Sequence, residues 1–149
     1  MKKVFELAEE LRRDPNRVAL TQALTFNAGK PDFGLRGNKG LFGSAEWWAS
    51  IESGSTPSKK ICGTIERAYY VGPGGDGPNN MIEIVTNEGV REEIGIYIND
   101  PSDICFFVEG HKVEVVYAFD ELKRQPAPGE GVSYSRVALS MSVSTQPVQ

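Results

Sequence analysis

Residues 137–144 read Val-Ala-Leu-Ser-Met-Ser-Val-Ser, and this stretch decides the fold class. Val137, Leu139, Met141 and Val143 alternate with Ala138, Ser140, Ser142 and Ser144. Successive side chains of a strand point to opposite faces, so this period of two predicts a half-buried β-strand with one apolar face. Upstream, Val113, Val115, Tyr117 and Phe119 alternate with Lys112, Glu114, Val116 and Ala118 and predict another strand. Ile94, Ile96 and Ile98 set against Gly95 and Tyr97 predict a strand over 90–98. Residues 81–86 form the strand before it, across an Asn87-Glu88-Gly89 hairpin turn. The first of the five spans Lys60 to Val71 and is interrupted by Gly63, the kind of glycine that marks a bulge or a tight bend.

Five strands in a short span, the first long and kinked, with a short segment (Ser102 to Val108, a helical turn or a short strand) between the third and fourth, predict a mainly β, α+β chain. The order resembles an OB-type barrel, with an SH3-like barrel as the other solution, since closure removes exposed sheet edges. On this reading the chain is one domain. Residues 59–145 form an acidic five-stranded barrel, and residues 1–58 an N-terminal helix and a Gly-rich segment packed on it.

Within residues 1–58, Val4, Leu7, Ala8 and Leu11 fall at helical spacing and predict an amphipathic helix over 2–13, stopped by Asp14-Pro15. Residues 17–28 fit either period. The alternation of Val18, Leu20, Gln22, Leu24 and Phe26 tilts the reading towards a strand late in the segment. Residues 29–43 place Gly34, Gly37, Gly40 and Gly43 at every third position, which predicts an irregular loop. That loop lacks the Gly-Lys-Ser/Thr of a phosphate-binding loop and the strand–turn–helix context of a dinucleotide fingerprint. Ser44 then caps a short helix carrying Trp47 and Trp48, which Gly54 ends.

The 149 residues are 40% apolar, 24% charged and 9% aromatic, values that suit a globular domain and exclude a collagen-like, disordered or disulfide-scaffold chain. No apolar run is long enough to span a bilayer, and acids at Glu6, Glu9 and Glu10 interrupt any export signal, so the expected location is the cytoplasm. Cys62 and Cys105 both sit in apolar surroundings and read as buried free thiols. Two separated cysteines and a single histidine make no metal site, and no cofactor motif is present. His111, after Gly110 at a strand start, reads as an exposed loop histidine. Without a nucleophile elbow or an orienting third group the sequence makes no positive case for an enzyme.

The net charge of −4 is unevenly placed. Residues 1–60 hold ten basic and seven acidic side chains, and residues 61–149 hold six and thirteen. An acidic surface repels phosphate backbones and suits a basic protein partner. The expected function is therefore a small binding or interaction protein. One concrete form is an inhibitor or immunity-type protein that neutralises a basic target, although no residue singles that form out. Its candidate surface is Trp47, Trp48, Tyr97, Asp120, Glu121 and Glu130, the aromatics as contact anchors and the acids as partners for cations. Two alternatives remain open. One is an OB-like single-stranded nucleic-acid binder that contacts phosphates through Lys30, Arg36 and Lys39. The other is a small-ligand protein or enzyme with a pocket near Trp47 and Trp48.

Overall fold

The computed structural model describes residues 1–125 and 131–148. Six strands build one antiparallel sheet: β1 (Lys2–Glu6), β2 (Ser58–Tyr69), β3 (Met81–Thr86), β4 (Arg91–Gly95), β5 (Lys112–Glu121) and β6 (Tyr134–Val143). Three helices precede β2: α1 (Leu7–Arg13), α2 (Pro15–Phe26) and α3 (Ala45–Glu52). Short 3-10 turns occupy Pro73–Gly75 and Pro101–Phe106, the second lying between β4 and β5. The five strands read from the alternation are all present, with β4 ending at Gly95 rather than at residue 98.

The sheet order is β1-β6-β5-β2-β3-β4, with β1 and β4 as its two edges. This corrects the five-stranded OB-like or SH3-like barrel: there are six strands, and the sheet is not closed. The sixth comes from residues expected to be helical. Lys2 to Glu6 pair antiparallel with Val143 to Ser140, and the register shifts between Lys3 and Phe5. Strict alternation would send neighbours to opposite faces, yet Val4 and Phe5 are both buried; the shift is what a bulge does to a strand. Helical spacing in this segment was real but incomplete, since only Leu7 onward has the helical backbone. Pairing with β6 decides the earlier residues.

Asp14-Pro15 acts twice. Asp14 (φ −131°, ψ 75°) ends α1, and Pro15 opens α2 at the position where its missing N–H costs nothing. Residues 17–28 therefore belong mainly to a helix, against the strand expected from their alternation. Helical winding scatters those alternate apolar residues around the axis, and none of α2 is buried.

The chain divides into two compact units. The first comprises Met1–Leu7, Lys60–Val116 and the chain from Ala138 on; the second comprises Ala8–Lys59 and Tyr117–Val137. In the first, Ile65, Ile82, Ile84, Ile94, Phe107, Val113, Val115, Met141 and Val143 are almost fully buried. Gly63 lies here within β2 where a Cβ would come 2.6 Å from the Val85 carbonyl oxygen, so the strand passes its neighbour too closely for a side chain. Lys2 donates to the buried carboxylate of Asp103 at 2.6 Å, which holds β1 to the 3-10 turn and raises the pKa of the lysine. In the second unit the buried set is Leu11, Leu35, Phe42, Trp47, Thr56, Tyr117, Ala118, Asp120 and Val137.

Candidate functional site

Of the residues singled out in the sequence, Trp47, Trp48 and Asp120 come together in the second unit. Ser44 caps α3 by accepting from the Trp47 backbone N–H at 3.2 Å, and the first turn directs Trp47 inward. Its indole is fully buried and edge-on to Phe42 and Trp48, with centroids 5.0 and 4.9 Å away. Its Nε1–H donates to Asp120 Oδ2 at 2.8 Å. Trp47 is therefore core, not a pocket rim, and Trp48 is the half-buried member that reaches the surface. Asp120 is buried too, so it is not a surface acid.

Burial raises the Asp120 pKa, partly offset by the hydrogen bonds from Trp47 and from the Glu121 backbone. A raised carboxylate holds its proton more tightly in the folded state. The contribution of this group to stability is thus greatest at low pH and falls as pH climbs from the usual carboxylate range through the folded value. Asp120→Asn is expected to remove that fall while keeping an acceptor for the indole. Asp120→Ala orphans the buried N–H and is expected to cost about 1–3 kcal/mol at neutral pH. Urea titrations of both variants at several pH values check the pair.

Glu121 is held by the Gly-rich loop. Asn38 donates to its carboxylate at 2.8 Å, Arg36 lies 3.7 Å from it, and the Arg36 N–H donates to its carbonyl at 2.9 Å. Leu35 bridges Leu122 beside these contacts, so part of the irregular loop is clipped onto the end of β5. Lys39 donates to the Ser55 carbonyl, and Lys30 is exposed. The expected anion-contacting trio is thus largely engaged within the chain. Lys123, outside that trio, donates to the Leu24 carbonyl at the C-terminal end of α2, where a cation also meets the negative end of the helix dipole.

Tyr97 lies in the other unit, half-buried, with its ring 5.7 Å from Phe5. Glu130 lies outside the described residues. His111 is buried, not an exposed loop histidine, with Nδ1 2.6 Å from the Ser144 carbonyl. A carbonyl only accepts, so Nδ1 carries the proton and the ring serves the β5–β6 junction. Both thiols are free, as expected, but Cys105 is exposed and Cys62 only half-buried. Among the described residues no helix is long and apolar enough to cross a membrane, and no group of acids, histidines or cysteines could hold a metal ion.

Two surfaces escaped the sequence reading. On α2, Ala19, Leu20, Ala23 and Phe26 are exposed, Leu20 at 64% and Phe26 at 72%, while Thr21, Gln22 and Thr25 are half-buried. Val18 and Leu24 are half-buried as well, beside Gly43 and Gly34, and Gln22 donates to the Phe42 carbonyl at 3.0 Å, so the helix is held by a face of mixed polarity. The second surface is the solvent face of β2, β3 and β4. There Arg67 stacks 4.3 Å over Tyr69, and Arg91 reaches Glu66 at 2.8 Å and Glu83 at 3.4 Å. Glu83 and Glu93 stand directly opposite each other. Burial, and after it the neighbouring Glu93 carboxylate, raises the Tyr69 pKa. The run Arg91-Glu92-Glu93 is the charged signature of an edge strand and could have flagged this face.

Charge separates the units. The first holds six basic and eleven acidic side chains, net −5, and the second ten and nine. No curated protein matches the chain. A family model described as "Immunity protein RhsI2" matches residues 1–144. An immunity protein binds a partner protein, a toxin, which agrees with a chain read as an interaction protein. With nearly the whole sequence inside the match, the chain belongs to the RhsI2 immunity protein family.

Proposed function

We propose that this chain neutralises a toxin by binding it directly, and that the toxin presents a basic surface to the acidic, sheet-rich unit. The observation that carries the reading is the net charge of −5 on that unit. Asp76, Glu88, Glu93 and Glu109 are exposed there, with no salt bridge among the described residues. Charges at the rim of an interface mainly set the encounter rate, and salt screens them within about 10 Å at ~0.1 M.

The test starts with a tagged pull-down from native cells, with and without nuclease, followed by mass spectrometry. A stoichiometric toxin that survives nuclease is expected. Reversing Asp76, Glu88 and Glu109 together to lysine should then slow association with that toxin ~10-fold or more at low salt and little at high salt. Association at the unaltered rate would remove the basic-partner part of the reading. Capture that vanishes with nuclease would favour the nucleic-acid alternative instead.

A further inference from the structure

Strand β4 has one partner and one open side, and its register shows which backbone groups face the opening. Thr86 N–H donates to the Val90 carbonyl, and Ile96 N–H to the Asn80 carbonyl. These pairs continue the β3–β4 register, in which Ile82 faces Ile94 and Ile84 faces Glu92. In an antiparallel ladder hydrogen-bonded pairs alternate with non-bonded ones. Glu92 and Ile94 therefore spend their backbone groups on β3. Arg91, Glu93 and Gly95, opposite Val85, Glu83 and Met81, turn their N–H and C=O groups to the open edge. Among the described residues no other backbone segment bonds them.

The side chains along this edge select what can add to it. Arg91 is committed to Glu66 and Glu83. Glu88, Glu92 and Glu93 have no cation within salt-bridge distance among the described residues. Glu93 also stands across from Glu83 in a non-bonded pair, where side chains are closest and like charges repel. A charged edge turns away neutral or acidic strands and admits one of opposite sign, which gives selectivity together with protection from aggregation.

The geometry points to the open edge of β4 as the place where an extended, Lys- or Arg-bearing segment of the toxin adds a strand, pairing with Arg91, Glu93 and Gly95 and setting a cation beside Glu93. Main-chain bonds supply the affinity, and the alternating side chains supply the selectivity. This inference rests on the toxin-binding reading above and gives it an address.

The test uses the full chain and the purified toxin recovered with it. Glu93→Pro deletes the outward N–H and sets a ring on the edge, while every ladder bond to β3 is kept. Glu93→Gln keeps the N–H and removes only the charge. Expected results are a loss of affinity of ~10- to 100-fold for the proline variant with its melting transition retained, and a smaller loss for the glutamine variant. In the wild-type complex, hydrogen exchange at Arg91, Glu93 and Gly95 slows. Wild-type affinity in Glu93→Pro, or unchanged exchange at these amides, overturns the inference while leaving the immunity reading intact. If Glu93→Pro does not fold, the wild-type exchange measurement decides alone. Protection in the free chain that rises with its own concentration assigns the edge to a second copy and likewise overturns it. A wild-type chain that binds no toxin rejects the immunity reading itself.

Discussion

Trp47→Ala is expected to lower stability by about 3–5 kcal/mol, the range for removing a fully buried large aromatic side chain. The effect has two sources. The indole fills the space beside Phe42 and Trp48, and nothing small replaces that contact area. It also supplies the N–H that the buried Asp120 carboxylate accepts at 2.8 Å, a bond lost when the ring goes. Trp47→Phe separates the two, because it keeps most of the packing and loses the donor. Chemical denaturation of both variants checks the split. A phenylalanine variant as stable as the wild type would mean that the hydrogen bond contributes nothing.

Gly40→Ala is expected to be the most damaging change in the Gly-rich loop, at ~2 kcal/mol or more. Gly40 has φ +104°, a conformation that costs a residue with a Cβ about 1–3 kcal/mol. The added carbon would also stand 2.5 Å from the Trp47 backbone nitrogen and 2.9 Å from the Glu46 carbonyl carbon. Those are backbone atoms of α3 and cannot rotate away. Gly54→Ala is the control: its φ is also positive, but nothing lies within 4 Å of its Cβ position, so only the conformational cost applies. Thermal unfolding of the two variants side by side measures the steric part as their difference. Equal melting temperatures would show that the loop yields at Gly40.

The elements legible in the sequence were those whose burial follows a single period. Strands β3, β5 and β6 and the Ser44-capped helix α3 have neighbours that agree with their local pattern, and they appear close to where the residues placed them. Lys2 to Glu6 were misread because the burial of both Val4 and Phe5 depends on a register shift against β6, and the segment's own spacing cannot report that. Helix α2 was missed for the opposite reason. Leu20 and Phe26 face outward while Val18 and Leu24 are only half-buried, so a rule that assigns apolar positions to the core returns the wrong period. Among the candidate surface residues, the aromatic and acidic types drew attention by chemistry alone. Trp47 and Asp120 satisfy each other in the interior, which no residue count could reveal. The open edge at β4 went unread because edges are properties of sheet order, and the order β1-β6-β5-β2-β3-β4 is not sequential.

That order also bears on how the chain folds. Strands β2, β3 and β4 form a meander of near neighbours in sequence, whereas Lys2 must find Val143 at the far end of the described chain. Closing so long a loop is entropically demanding before any contact rewards it, so the meander is expected to assemble early and β1 to dock last. During synthesis the first strand waits on the ribosome for its partner, and the seam between β1 and β6 is where a nascent chain stays unfinished longest.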